Sequence, residues 1–360
     1  MGNDDLESSN CSAQLEKVDQ CIPPLQDRFG RVFDYVRIAI IEKCNLRCTY
    51  CMPEEGVEFA DKNMILDTDE LLRAIGVLAR LGVKKIRYTG GEPLMRKDIL
   101  DLVKGANNTP GIKGVHLTTN GLLFPRLAKD LLDAGLMGVN ISLDTLDPGK
   151  FKEITRRDGI EEVLESINLA VKLGFPRVKV NVVLMRGFNE DELVAFTELT
   201  KDLPVTVRFI EFMPFDAEQI WESGDHFASA NNIVDQIKAI YPGLDVASGT
   251  RTEHYIFKAP GYAGKIAVIP AFSRDLCGNC SRIRLTADGA LRNCLYSDKD
   301  YDLRGLIRKG CSDDQIVALF RQAYDEKAKD GFEAKKLSSQ KIVNLDGLRQ
   351  PRTSMTQIGG

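Results

Sequence analysis

From residue 33 to residue 211 the chain alternates short β-branched runs with longer amphipathic ones, and that rhythm restricts the fold more than any other feature. Residues 33–41 read as a buried strand. Leu71, Leu72, Ile75, Leu78 and Leu81 recur at helical spacing behind the capping run Asp67-Thr68-Asp69-Glu70, and Gly82 supplies the stop. Strand and helix then alternate: 85–89 and 98–106, 114–118 and 122–134, 139–143 and 160–173, 178–184 and 191–202, with a sixth strand at 205–210. Six strand-then-helix units with short connections predict parallel strands joined by crossover helices. The fold class is α/β, as a partial (β/α)6 TIM-like barrel or an open doubly wound sheet. Polar residues favour the barrel. Arg37, Arg87, Thr118, Ser142, Lys179, Arg208 and Glu211 lie in or at the ends of six strands, and a barrel brings strand ends to one mouth.

After Glu211 the rhythm stops. Residues 212–230 read as a long loop containing Trp221, and a helix is expected at 231–240. Short strands follow at 255–258, 266–269 and 283–286, then an Asp288-Gly289 turn and helices at 303–309 and 313–325. The expected organisation is a flexible tail over 1–26, a barrel over 27–214, and a smaller α+β domain over 215–360.

The chain has nine cysteines, and six fall in two groups. Cys44, Cys48 and Cys51 have C-x3-C-x2-C spacing directly after the first strand, enough to hold three irons of a 4Fe–4S cube and leave the fourth open to a small molecule. Zinc would normally take four protein ligands or a nearby histidine, and no histidine precedes His116. Cys277, Cys280 and Cys294 form a second set of three, with Cys311 as a conceivable fourth ligand. The odd count, the clustering and the lack of a signal peptide point to a reducing compartment. Cys11, Cys21 and Cys311 read as ordinary thiols.

Thr89-Gly90-Gly91-Glu92-Pro93 ends the second strand, where bare glycines let backbone approach a ligand. Arg37, Lys85, Arg87, Lys179, Arg208, Arg282 and Arg284 are charged residues within strands, which need counter-charges or a cavity. In a chain of net charge −4, such a cluster argues for an anionic substrate such as a polyphosphate, without general affinity for nucleic acid. No G-x4-G-K-[ST] loop is present, so arginine and lysine forks would do the gripping. His116, His226 and His254 lack metal-ligand spacing, and Trp221 reads as packing. The Gly359-Gly360 end is either frayed or threaded into the site as a narrow tail. The first 20 residues carry five acids and one lysine and resemble neither a signal nor a transit peptide, and no stretch is long enough to span a membrane. A cytoplasmic protein without membrane contact is the default.

The cysteine loop with Tyr50, the Gly-Gly-Glu-Pro stretch and the strand–helix alternation together resemble the radical S-adenosylmethionine superfamily. Within it, residues 27–31, 44–53, 118–121, 140–144, 180–189, 209–214, 277–285 and the terminal Gly-Gly resemble the GTP 3′,8-cyclases, which open molybdenum cofactor biosynthesis. The resemblance runs from Asp27 to Gly360. It implies two 4Fe–4S clusters, ligated by Cys44, Cys48 and Cys51 and by Cys277, Cys280 and Cys294. It implies S-adenosylmethionine contacts at Tyr50, Gly91, Ser142 and Met213. GTP contacts are implied at Arg37, Arg87, Thr118, Lys179, Arg282, Ile283 and Arg284, with Lys85 and Arg208 as phosphate partners and Arg37, Arg282 and Arg284 as the catalytic arginines. A 5′-deoxyadenosyl radical is expected to take hydrogen from C3′ of GTP, whose carbon radical closes onto guanine C8. The expected partners are a flavodoxin or ferredoxin reductant, a second copy in a homodimer, and the cyclic pyranopterin monophosphate synthase that takes the product. Eukaryotic family members would place it in the mitochondrial matrix. Two features depart from the pattern: residues 349–355 differ from the usual Arg-Pro-Met form, and residues 1–26 have no counterpart. The competing readings are a peptide-maturing radical enzyme with two clusters, and a zinc-bound interaction or nucleic-acid module.

Overall fold

The computed structural model describes residues 22–213, 225–247, 255–273, 277–338, 352 and 354–359. Cys11, Cys21, Pro214, Trp221, Gly224, His254 and Gly360 lie outside the described residues.

Six strands carry the predicted rhythm: β1 (Tyr35–Ala39), β2 (Lys85–Thr89), β3 (Gly114–Thr119), β4 (Leu136–Ser142), β5 (Arg177–Leu184) and β6 (Thr206–Glu211). They pair in sequence order and all in parallel. The crossover helices are α1 (Thr68–Arg80), α2 (Ile99–Asn107), α3 (Phe124–Asp133), α4 (Pro148–Thr155), α5 (Ile160–Lys172) and α6 (Leu193–Asp202). In α1 the Asp67 carboxylate accepts from the Glu70 amide while Glu70 reaches back, the reciprocal cap visible in the sequence. Helix α4 was not predicted; it is short, and Asp147 and Pro148 begin it inside what reads as a loop.

The segment after 214 does not build a sheet of its own. After α7 (Ala230–Ile240) come β7 (Asp245–Ala247), β8 (Tyr255–Lys258) and β9 (Lys265–Ile269), then β10 (Arg282–Leu285), β11 (Ala290–Arg292) and β12 (Tyr301–Asp302). Strand β9 joins the free edge of β6 in parallel, and β10 joins β1 in parallel. The sheet therefore reads β12-β11-β10-β1-β2-β3-β4-β5-β6-β9-β8-β7, an open, partial barrel. The physical reason is edge pairing: β1 and β6 would otherwise present unpaired N–H and C=O groups along their whole length. Helices α8 (Leu303–Arg308), α9 (Asp313–Asp325), α10 (Gly331–Ser338) and α11 (Met355–Ile358) complete the chain. Residues 22–26, expected to belong to a tail, are anchored: Leu25 is fully buried and its amide donates to the Leu81 carbonyl at 2.9 Å.

Alternation along the strands separates two environments. Val36 and Ile38, Ile86 and Tyr88, Val115 and Leu117, Val139 and Ile141, and Val180 and Val182 point toward the helices and are fully buried in one apolar core. The opposite face is polar, and registry stacks it in layers. Tyr35 aligns with Lys85 and Arg282; Arg37 aligns with Arg87 and Arg284, and Arg87 with His116; Thr118 aligns with Asn140 and Lys179; Ser142 aligns with Asn181 and Arg208. Polar groups at this density inside a parallel sheet require an aqueous or ligand-filled interior.

Candidate active site

A cavity of about 350 Å³ runs through this interior, and all six clustered cysteines line it. The two sets enter at different ends. Cys44, Cys48 and Cys51 follow the C-terminal end of β1, whereas Cys277 and Cys280 precede β10, which runs parallel beside β1. Four residue steps along β1 at ~3.3 Å each set the two ends roughly 13 Å apart. Arg37, Arg282 and Arg284 lie between them on the same wall. The basic residues therefore line the length of the interior; they do not gather at one mouth.

The first loop is braced by the unforeseen helix α4. The Arg47 amide donates to the Thr155 carbonyl (3.0 Å) and the Thr49 amide to the Ile154 carbonyl (2.9 Å). Arg156, at φ 58°, caps α4 and donates to the carbonyls of Arg47 (3.0 Å) and Met52 (2.9 Å). Tyr50 donates to Asp144 Oδ2 at 2.7 Å, and Asp144 Oδ1 accepts the Val183 amide at 2.8 Å. Burial raises Asp144 to about 6, against the pull of those two hydrogen bonds.

From the opposite side Gly90 and Gly91 press against the loop. A Cβ on Gly91 would stand 2.3 Å from the carbonyl oxygens of both Glu42 and Lys43, and one on Gly90, at φ +141°, 2.1 Å from that of Ile41. The glycines are therefore there for contact as much as for the turn. Gly91→Ala should lower stability by about 1–3 kcal/mol through overpacking and loosen the cysteine loop, read as a lower melting temperature and faster loss of iron to a chelator. Glu92, fully buried, accepts from the Leu94 amide (3.0 Å), Thr119 Oγ1 (2.8 Å) and the Asn120 amide (2.7 Å), while burial raises it to about 7.

The thiols themselves test the cluster reading. Burial pushes Cys44 up to about 12 and raises Cys48 and Cys51. Around Cys48 the neighbouring Cys44, Cys51 and Asp144 raise it further, so its thiolate needs a positive partner brought from outside. Among the described residues no three His, Cys, Asp or Glu side chains converge on a point for a single metal ion. A four-iron cube instead takes its thiolates spread around its corners, and three cysteines per set fit it.

The second set has different surroundings. Cys277 begins a single turn of 3-10 helix, Cys277–Asn279, and Cys294 follows β11. Arg31, paired with Asp27 at 2.6 Å, donates to the carbonyls of Cys277 (2.9 Å), Ala328 (2.8 Å) and Lys329 (2.7 Å), tying the turn to the chain beyond α9. Burial pushes Cys280 up, but the charges of Lys327, Arg282 and Arg284 outweigh it and bring the thiol below its ordinary value. Cys311 does not line the cavity; it packs against the apolar core, which removes it as a fourth ligand.

Tyr35, not singled out from the sequence, organises the cations. Its hydroxyl accepts from Arg87 Nε (2.8 Å) and Arg37 Nε (3.2 Å), with Lys85 Nζ 4.9 Å above the ring. Burial pushes the phenol up, yet Arg87, Arg37 and Lys85 bring it down to about 6. Arg284 is held down to about 9 by burial and by its neighbours Arg37 and Arg282. Cations that repel one another in a buried space favour an anion entering among them.

Tyr50, Gly91, Ser142 and Met213 line the cavity, as do Arg37, Thr118, Arg208, Arg282 and Arg284. Arg208 Nε donates to Asn181 Oδ1 at 2.9 Å. Lys85, Arg87 and Lys179 share the polar face through registry but do not line the cavity. Ile283 is placed on the other face: its side chain is fully buried in the apolar core, because it alternates with Arg282 and Arg284. Only its backbone is left for a ligand contact. Asp144, Glu92, Asn181, Arg31 and Lys327 were not assigned from sequence. Tyr35 was legible in principle, since it sits two residues before Arg37 on the same strand face.

The described end of the chain, residues 354–359, threads in toward the cavity. Met355 and Thr356 line the cavity, and Gly359, at φ 82°, accepts Arg284 Nη1 on its carbonyl at 2.6 Å. Ser354 Oγ lies 3.6 Å from Cys51 Sγ. Arg352 anchors the segment through buried ion pairs with Asp288 and Asp300, both 2.9 Å, and donates to the Gln357 carbonyl at 3.1 Å. Arg352, within the stretch 349–355 that departs from the family's usual form, thus docks the tail.

Comparison with known proteins agrees with this architecture. Residues 38–200 match the Radical SAM superfamily model, and 205–332 match the Molybdenum Cofactor Synthesis C model. The chain is 44% identical over 336 residues to the GTP 3′,8-cyclase of Chlorobaculum tepidum, covering 93% of this chain and 97% of that one. It is 44% identical over 304 residues to the human Molybdenum cofactor biosynthesis protein 1, of which it spans 48%. Among solved structures it resembles Streptococcus suis SuiB bound to S-adenosylmethionine, at 14% identity and a TM-score of 0.54 over 81% of this chain and 65% of that one, a likeness of fold. No described helix is long and apolar enough to cross a membrane. With a cluster-type cysteine loop on a partial barrel, and near-complete coverage of a relative at 44% identity, the chain belongs to the GTP 3′,8-cyclase family of radical S-adenosylmethionine enzymes.

Proposed function

We propose that this chain converts GTP to (8S)-3′,8-cyclo-7,8-dihydroguanosine 5′-triphosphate for molybdenum cofactor biosynthesis. The observation that carries the reading is two three-cysteine sets on one cavity, at opposite ends of adjacent parallel strands, with Arg37, Arg282 and Arg284 between them. When bound, a 4Fe–4S cluster at Cys44, Cys48 and Cys51 with S-adenosylmethionine supplies a 5′-deoxyadenosyl radical that takes H3′ of GTP, after which C3′ closes onto C8.

The residues of the chain provide position and exclusion. Tyr50, Gly91, Ser142 and Met213 bound the first end, where they hold the methionine and adenosine parts of the cofactor. Thr118, Arg208 and the arginine wall hold the triphosphate, with Tyr35 keeping Arg37 and Arg87 oriented by their Nε atoms. Cys277, Cys280 and Cys294 would hold a second cluster, which would supply an open coordination position for the guanine base. Holding the base and phosphates while offering the sugar converts an encounter into an intramolecular reaction, and the enclosed wall keeps out water. The tail adds the Gly359 carbonyl on Arg284, at the centre of this wall. A flavodoxin- or ferredoxin-type donor supplies the electron, a cyclic pyranopterin monophosphate synthase takes the product, and the chain works as a homodimer. A peptide-maturing reading would need a groove, and the buried arginines favour a polyanion instead.

The test is direct. Protein purified anaerobically should be brown and carry about eight irons if two cubes form. With dithionite, S-adenosylmethionine and GTP it should release 5′-deoxyadenosine and the cyclised nucleotide in equal amounts. A colourless zinc protein, or adenosine release indifferent to GTP, overturns the reading.

A further inference from the structure

We infer that Lys327 is a built-in counter-ion to the second cysteine set, a positioning residue that fixes the charge of the cluster held there. The inference rests on reading Cys277, Cys280 and Cys294 as cluster ligands.

Lys327 is 3% exposed, and it lines the cavity together with all three of these cysteines. Its Nζ donates to the carbonyl of Asn293, the residue before Cys294. The same Nζ lies 5.7 Å from the centroid of Phe33 and 5.9 Å from that of Tyr324. Among the described residues, none of the ion pairs within 4 Å involves it. A lysine buried to this degree is almost always paired, because leaving an ammonium in a low-dielectric interior costs several kcal/mol, on the order of the whole stability margin of a domain. One carbonyl and two aromatic faces do not supply a negative charge. The anions this position faces are the thiolates of the second set, and the sign of its effect on Cys280 agrees.

The surrounding structure holds the ammonium in place. Arg31 clamps the carbonyls of Ala328 and Lys329, the two residues after Lys327, to the carbonyl of Cys277. Asn293 Nδ2 donates to the Ala323 carbonyl at 2.7 Å, fixing the carbonyl that Lys327 grips. Lys327 and Arg31 thus staple the Cys277 turn and the end of β11 to the same short stretch of chain. Around the first set the balance differs: Asp144 raises Cys48, and the cation that lowers Cys44 is Arg47. Since net charge and hydrogen bonding set cluster potentials, a buried ammonium beside the second set makes a cluster held there more easily reduced.

The experiment uses the full chain, purified anaerobically, carrying Cys44→Ala, Cys48→Ala and Cys51→Ala so that only the second set holds iron. Iron content and the midpoint potential, followed by electron paramagnetic resonance, are compared in this background with Lys327→Met and with Lys327→Arg. Methionine keeps the length and the packing on Phe33 and Tyr324; arginine restores the charge. The expected result is about four irons in each, a midpoint moved to more negative values in Lys327→Met, and recovery toward the parent in Lys327→Arg. Loss of iron from Lys327→Met but not from Lys327→Arg supports the same role. An unchanged midpoint in Lys327→Met, or equal defects in both variants, overturns it. If the background protein binds no iron, the second-cluster reading itself fails and the inference falls with it.

Discussion

Cys44→Ala is expected to abolish 5′-deoxyadenosine formation, with the loss exceeding the roughly 10–100-fold that changes outside the ligand shell usually cost. The loop has three thiols, and among the described residues neither Cys311 nor His116 can replace one: Cys311 packs on the core away from the cavity, and His116 is buried on the polar face two residues below Thr118. The remaining Cys48 and Cys51 are raised by burial and would revert to neutral thiols once the irons are lost. The measurement is adenosine release by chromatography under dithionite, beside iron content and Cys311→Ala as a control that should keep full activity. Retained adenosine release in Cys44→Ala would remove this loop from the radical-forming role.

Arg284→Ala is expected to leave cofactor cleavage measurable while uncoupling it from cyclisation. Arg284 is 4% exposed, aligned with Arg37, and donates to the Gly359 carbonyl. Its removal loses a charged hydrogen bond worth about 1.5–3 kcal/mol, so the KM for GTP should rise roughly 10–100-fold. The tail also loses an anchor at Gly359, although Arg352 still holds it through Asp288 and Asp300. Adenosine formed per cyclised nucleotide should climb well above one. An unchanged ratio and KM would show that the arginine wall does not hold the substrate.

These two variants separate the halves of the cavity, and the separation depends on a feature that no local pattern revealed. The sequence shows six βα units, the helix starts and stops, and two three-cysteine sets, because periodicity, caps and ligand spacing are properties of neighbouring residues. It placed a second, smaller domain after 214 without showing that strands of that segment extend the first domain's sheet. Residues 265–269 and 282–285 pair with the two edges of a sheet built by residues 35–211, and such pairing is long-range. It also missed α4, whose end braces the cysteine loop through Arg156, since nothing in the run 148–155 announces a tertiary partner.

Residue roles divide the same way. Alternation alone puts Arg282 and Arg284 on one face and Ile283 on the other, a distinction available from the strand but not from a motif match. Tyr35 between Arg37, Arg87 and Lys85, and Lys327 beside the second cysteine set, became visible only when distant strands and the end of α9 were brought together. The sequence by itself determined the strand–helix order, two sets of three clustered thiols and the excess of cations in strands. Tertiary structure decided that one cavity takes in both cysteine sets and that Met355 and Thr356 of the tail line it. The reason is physical: donor type and periodicity are written residue by residue, whereas burial, charge compensation and edge pairing exist only between segments far apart in the chain.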